Sequence, residues 1–242
     1  MIRGLSLDLD DTLWPVAPVI HGAELALHRW LEAHVPQVAA SFPVEAMRQL
    51  RPEAFTRAAV AGRVHDLGWI RRTQIGLAFE RSGLGTSADP LIEQAYAVFQ
   101  DARQQVQLYP EVRPALARIA ARIPIAAVTN GTSDLSRMDL APYFRAIVSA
   151  GTHGAAKPSP TIFVAACEEL ELPCSQVLHV GDDPTLDVLA AANAGLQAGW
   201  LNRSGLPWSL DMPLVHDFRS LAEVAALVGH NDSSDVSGGR PR

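Results

Sequence analysis

Leu5-Ser6-Leu7-Asp8-Leu9-Asp10-Asp11-Thr12 runs from a short apolar segment straight into carboxylates. Far downstream, Val177-Leu178-His179-Val180-Gly181-Asp182-Asp183 repeats the pattern. Both read as short buried strands that end on acid. Open parallel α/β sheets bind ligands beyond the carboxyl ends of their strands. Two acidic strand ends brought together there would repel each other unless a cation lay between them. The pair therefore predicts a divalent metal and a substrate rich in negative charge.

Around these two segments the chain alternates. Strands are expected over 5–9, 125–129, 146–150, 177–180 and 197–201, with a weaker one at 214–216. Helices are expected over 112–122, 159–172, 184–194 and 219–228. That alternation predicts an α/β fold built on a doubly wound parallel sheet. Ser159-Pro160 reads as an N-cap followed by proline in the first helical position, and Gly195 as a helix stop. The stretch 16–106 breaks the alternation, with helical segments separated by Pro36, Pro43, Gly62, Gly83 and Gly85. Ile20, Ala23, Leu27, Trp30 and Leu31 form one apolar face, and Ile92, Ala95, Tyr96, Phe99, Ala102 and Val106 another. The expected organisation is a core of 1–15 and 107–230, an all-helical insert at 16–106 and a disordered tail at 231–242. An insert placed directly after the first strand would hang over that strand's carboxyl end as a lid.

The bulk numbers exclude several classes. A net charge of −6 disfavours binding driven by phosphate-neutralising basic patches, so no nucleic-acid partner is expected. No apolar stretch approaches the roughly 20 residues that span a bilayer. Cys167 and Cys174 lack metal-ligand spacing. Met1-Ile2-Arg3-Gly4 leads directly into the first strand, without room for a signal peptide. A reduced cytoplasmic protein, monomer or homodimer, is expected.

Asp8 and Asp10 are one residue apart where the strand ends. One carboxylate could attack phosphorus while the other handles the leaving-group proton. Asp-rich turns are also common after strands, so this pair alone is weak evidence. Val128-Thr129-Asn130-Gly131 closes a second strand with a hydroxyl, an amide and a flexible backbone suited to phosphate oxygens. Lys157 precedes a capped helix, where an ammonium can neutralise developing charge. Asp182 and Asp183, with Asp187 beyond them, offer hard oxygen ligands for Mg²⁺; Asp183 before Pro184 could instead cap a helix.

In this order the four elements resemble the haloacid dehalogenase-like (HAD) hydrolase superfamily. The resemblance implies that Asp8 is the nucleophile and forms an aspartyl-phosphate, that Asp10 is the general acid/base, and that Thr129 and Lys157 hold the phosphoryl group. It implies Mg²⁺ on Asp8, the Asp10 carbonyl and Asp182, with Asp183 close by. The insert resembles the family's helical cap. Dehalogenating members usually lack a carboxylate at the position matching Asp10, because a departing halide needs no proton; Asp10 therefore favours a phosphatase.

A closer resemblance lies in Asp8-Leu9-Asp10-Asp11-Thr12-Leu13-Trp14 with Pro18-Val19-Ile20, in Ala150-Gly151-Thr152-His153-Gly154 and in His179-Val180-Gly181-Asp182-Asp183. These are similar to riboflavin-pathway phosphatases acting on 5-amino-6-(5-phospho-D-ribitylamino)uracil and on flavin mononucleotide. The segment His65–Arg72 is similar more loosely. Trp14, His65, Trp69, Arg71 and Arg72 are the candidates to meet a substrate ring or polar tail, although taken singly each more often has a structural place: packing at the hinge or in the cap core for the tryptophans, a solvated helix face for the others. The competing expectations are a phosphatase for phosphoglycolate or a nucleotide, a 2-haloacid dehalogenase, and a non-catalytic binding protein of the same fold.

Overall fold

In the computed structural model, residues 1–85, 88–214 and 216–230 are described. The expected tail at 231–242 lies outside them. The chain forms two compact units: Met1–Pro15 with Gln107–Thr129 and Leu135 onward, and Val16–Val106 with Asn130–Asp134.

The first unit is built on a six-stranded sheet. Its strands are β1 (Gly4–Leu7), β2 (Ile125–Thr129), β3 (Ala146–Ser149), β4 (Val177–Gly181), β5 (Gln197–Leu201) and β6 (His216–Phe218). They lie in the order β3-β2-β1-β4-β5-β6, and every pairing is parallel. The three central strands β1, β2 and β4 are buried throughout, which is why they read as apolar runs rather than alternating ones. Leu7, the last residue of β1, lies opposite Ala127 and Val180, and the two neighbouring strands run on past that level to Thr129 and Gly181. Strand order reverses at β1, where the chain steps from β3 across to β4. The carboxyl ends around β1 are thus the switch point at which such sheets bind ligands.

Several expected boundaries differ. The first strand ends at Leu7 instead of residue 9: the Asp8 N–H still donates to the Val180 carbonyl (3.0 Å), and the chain then turns. The helix predicted over 159–172 spans Pro160–Leu170, ending where Glu171 takes a left-handed conformation (φ 57°). The helix predicted over 184–194 is a π-turn, Pro184–Leu189, running into a short α-helix, Ala190–Asn193. There the Asp183 carbonyl accepts from both Asp187 N (3.0 Å) and Val188 N (3.3 Å). Such wide turns cluster at functional sites, and this one points the Asp187 side chain inward. The last strand, predicted over 214–216, is described over His216–Phe218.

The second unit is helical: Val16–His34, Pro36–Ser41, Val44–Gln49, Arg51–Val60, Leu67–Arg81 and Asp89–Arg103. Ala23, Leu27 and Leu31 from the first helix join Ile75, Phe79, Ala95 and Phe99 in its core. Asn130–Asp134, expected with the sheet, groups with these helices. Thr132 Oγ1 donates to Gln100 Oε1 (2.9 Å), and Asp134 N donates to Gln104 Oε1 (2.8 Å). Among the described residues no helix is long and apolar enough to cross a membrane.

Candidate active site

The loop after β1 is pinned at every step. Leu13 N donates to Leu9 O (2.8 Å), and Asp11 N donates to Trp14 O (2.8 Å). Tyr109 N donates to Leu13 O (3.0 Å), and Arg203 Nη2 to Thr12 O (2.8 Å). Arg203 is itself fixed by Glu111 (2.7 Å) and by stacking 3.7 Å above the Tyr109 ring. Within this turn Asp11 adopts a left-handed backbone (φ 58°), a conformation that aspartate tolerates better than most residues. The result is a rigid platform carrying Asp8, Asp10, Thr12 and Trp14.

Asp8 is buried at the strand end, and one of its oxygens accepts from Lys157 Nζ. Lys157 also donates to Asp187 Oδ1 (2.6 Å). The chain of bonds continues inward. His179 Nε2 lies 3.3 Å from Asp187 Oδ1, and His179 Nδ1 lies 2.8 Å from Ser6 Oγ. Because Asp187 accepts, Nε2 must carry the ring proton and Ser6 must donate to Nδ1. Burial holds His179 below its ordinary titration range, which keeps it neutral in this role. Asp183 N donates to the second Asp187 oxygen (3.0 Å). Burial alone would raise Asp187, but the Lys157 ammonium and the His179 N–H hold it well below the usual carboxylate range.

Asp8 goes the other way. Burial pushes it well above its ordinary value; Lys157 opposes that, while Asp187 and Asp182 add to it. Asp182 is pushed up to about 7 by burial and by the nearby charges of Asp187 and Asp11. Thr12 Oγ1 lies 3.3 Å from Asp8 Oδ2 and 3.1 Å from Asp182 Oδ1, with a single proton to offer the two.

These shifts test the fit of a metal. Oxygens of Asp8, Asp182 and Asp187 lie within 4.8 Å of one another. Three ionised carboxylates beside one ammonium leave two negative charges in excess, the charge a divalent cation supplies. Asp187 has its oxygens engaged by Lys157, His179 and the Asp183 amide, so it serves as a partner to Lys157 and not as the ligand. Asp8 and Asp182 are the carboxylates that need a cation. A cavity of about 220 Å³ bordered by Asp11, Tyr109, Asp182 and Asn202 leaves room for the waters that Mg²⁺ retains. Asp183 Oδ1 accepts from Thr185 N (2.7 Å) and Leu186 N (2.8 Å), so its visible work is to cap the turn.

The remaining predicted residues divide. Thr129 is buried at the end of β2, the strand neighbouring β1, whereas Asn130 falls in the helical unit. Two expectations about substrate contact are corrected. Trp14 is 0 % exposed, and its Nε1–H donates to Asp10 Oδ1 (2.9 Å), so its ring faces protein on all sides. Arg71 is buried within the helical unit, 4.1 Å above the Phe99 ring; burial lowers it to about 10 against the pull of Glu24. It bonds Gln74 Oε1 (2.9 Å) and is not on a solvated face. Arg72 lies 3.7 Å above the Tyr96 ring and pairs with Glu93 (3.0 Å). His65 and Trp69 are half-buried.

Sequence reasoning missed Thr12, Ser6 and His179, and saw Asp187 only as a further ligand. The four-residue step from Asp183 to Asp187, close to one helical turn, was the available signal. Gly181 was missed too. A Cβ there would lie 2.2 Å from Asp187 Cγ, so the residue must be glycine for Asp187 to tuck beneath the strand end. Gly181→Ala is expected to lower stability by about 1–3 kcal/mol and to cut activity by displacing the Lys157 partner. Thermal unfolding together with a turnover assay checks both.

A profile for haloacid dehalogenase-like hydrolases matches residues 2–195. The chain is 33% identical over 226 residues to the 5-amino-6-(5-phospho-D-ribitylamino)uracil phosphatase YigB of Escherichia coli, covering 92% of this chain and 91% of that protein. It is 29% identical to the phosphoserine phosphatase of Thermus thermophilus, covering 84% and 90%. Among solved structures, a 2-haloacid dehalogenase from Pseudomonas syringae superposes with a TM-score of 0.88 at 33% identity, covering 95% of this chain and 99% of that one.

Proposed function

This chain belongs to the haloacid dehalogenase-like hydrolase family, and on that premise we propose that it is a Mg²⁺-dependent phosphomonoesterase working through an aspartyl-phosphate on Asp8. The observation that carries this reading is Asp10. A second carboxylate follows the nucleophile on a rigid loop, held by an indole hydrogen bond of 2.9 Å. A departing halide has no use for a proton donor, whereas a departing alkoxide requires one.

In this reading Asp8 attacks phosphorus. Its bond to phosphorus forms as the ester P–O bond breaks, and Asp10 gives its proton to the leaving oxygen. Asp10 then takes a proton from the attacking water as the new P–O bond forms and the Asp8–phosphorus bond breaks, releasing phosphate. Lys157, held charged between Asp8 and Asp187, balances the negative charge on the transferring group, and Thr129 steadies its oxygens. Asp8, Asp182 and the Asp10 carbonyl would hold the ion. When bound, Mg²⁺ offsets the repulsion between carboxylate and phosphate and orients the group.

The substrate we propose is 5-amino-6-(5-phospho-D-ribitylamino)uracil, with flavin mononucleotide next. This rests on the similarity to the Escherichia coli phosphatase and on the quoted motifs. Trp69, His65 and Arg72 remain the candidates for reading its ring and tail. The specific observation for a second reading, 2-haloacid dehalogenase, is the similarity to the Pseudomonas syringae structure.

A panel of phosphate esters and 2-chloropropionate, assayed with Mg²⁺ and with excess chelator, separates these readings. Phosphate release should fall by about a hundredfold or more in chelator and return with Mg²⁺. Chloride release without phosphate release would replace this reading with the dehalogenase one.

A further inference from the structure

We propose that Trp14 is a positioning residue for proton transfer: its indole N–H, bonded to Asp10 Oδ1, fixes the orientation of the carboxyl group that gives and takes the proton. The inference rests on the phosphomonoesterase reading, in which Asp10 serves the leaving group.

An indole nitrogen can only donate. Trp14 Nε1 donates to Asp10 Oδ1 at 2.9 Å, and the ring is wholly buried. Accepting that bond at Oδ1 fixes which way the Asp10 carboxyl group faces. The ring cannot follow Asp10 if the carboxyl group swings. Trp14 O is bonded to Asp11 N (2.8 Å), and Asp10 and Trp14 pair as an isolated bridge across the turn. The Thr12 and Leu13 carbonyls in between accept from Arg203 Nη2 (2.8 Å) and Tyr109 N (3.0 Å). Donor and acceptor are thus both attached to one braced turn, and the hydrogen bond sets the side-chain torsion of Asp10. The proton balance follows. Asp10 loses its proton to the departing alkoxide as the ester P–O bond breaks, and regains one from water as the Asp8–phosphorus bond breaks. Oδ1 accepts from the indole throughout.

A buried indole also needs an acceptor simply to satisfy its N–H, so the test must separate positioning from packing. Leaving-group dependence does so. p-Nitrophenolate departs without protonation, phenolate with more difficulty, and benzyl alkoxide needs a proton. General acid catalysis is worth about a hundredfold to ten-thousandfold where it is needed. Wild type, Trp14→Phe and Asp10→Asn are compared on p-nitrophenyl, phenyl and benzyl phosphate with saturating Mg²⁺. In Trp14→Phe the loss of kcat/KM, which reports only the steps through cleavage of the ester bond, should be about tenfold or more greater on benzyl phosphate than on p-nitrophenyl phosphate, in the same direction as Asp10→Asn. Equal losses on all three esters would overturn the proposal. If Trp14→Phe does not fold, β-(3-benzothienyl)alanine at this position keeps the bicyclic shape without the N–H donor and must give the same steepening.

The failures can be told apart. No turnover of any ester by wild type would sink the phosphomonoesterase reading and this inference with it. Uniform losses of kcat/KM in Asp10→Asn would remove Asp10 as the acid, and Trp14 with it. Steepening in Asp10→Asn but not in Trp14→Phe would overturn the Trp14 role alone.

Discussion

Asp8→Asn is expected to reduce turnover of any phosphate ester by on the order of 10⁴-fold or more, because an amide cannot form the acyl-phosphate bond. The fold should survive the change. Asp8 sits at a strand end where burial pushes its carboxyl group well above the ordinary range, so the folded state gains little from its charge. Lys157 keeps its second partner, Asp187 Oδ1, at 2.6 Å. A melting midpoint within a few degrees of wild type, together with absent turnover, is the expected pair of results. Turnover like that of wild type would sink the assignment of the nucleophile.

Asp187→Ala should give the largest loss of stability. Asp187 is buried and accepts from Lys157 Nζ, His179 Nε2 and Asp183 N. Removing it leaves the Lys157 ammonium in the interior with Asp8 as its remaining carboxylate partner, and strands the His179 N–H. Breaking a buried pair in this way costs about 3–5 kcal/mol. For a chain of this size that corresponds to roughly 10 °C or more in the melting midpoint. Activity should fall as well, because Lys157 loses the contact that aims it. Circular dichroism melts of Asp187→Ala and Asp187→Asn give the check. The asparagine variant should lie between alanine and wild type, since it keeps the shape and part of the hydrogen bonding. An unchanged midpoint for alanine would mean that the buried network contributes nothing.

The sheet was legible because its central strands are buried on both faces and leave no polar alternation to confuse the reading. β2 and β5 match their predicted spans, 125–129 and 197–201. The candidate carboxylates were legible because acids at strand ends are costly without a ligand. Burial beyond the strand ends was harder to see. The sequence leaves Trp14 open between substrate contact and packing, and Arg71 between substrate contact and a solvated helix face, since arginine is mostly exposed. In the fold, Asp10 satisfies the indole N–H, and Glu24, Gln74 and Phe99 accommodate the guanidinium, so both are interior. The Ser6–His179–Asp187–Lys157 chain was invisible because it joins three distant segments through alignments that only the sheet register creates. The π-turn escaped for a related reason: its widening serves the Asp187 side chain and not the backbone pattern.

The central claim is that phosphate passes through Asp8, and the variant Asp10→Asn offers the most direct view of it. With p-nitrophenyl phosphate the first step needs no proton donor, whereas release of the phosphoryl group from Asp8 still needs a base for water. The intermediate should therefore accumulate. Asp10→Asn, mixed with p-nitrophenyl phosphate and Mg²⁺, is quenched in acid and digested, and the peptide carrying Asp8 is weighed by mass spectrometry. The account predicts one phosphoryl group on Asp8, formed at the rate of the p-nitrophenol burst and absent in chelator. Release of p-nitrophenol with Asp8 unmodified at every quench time would contradict it.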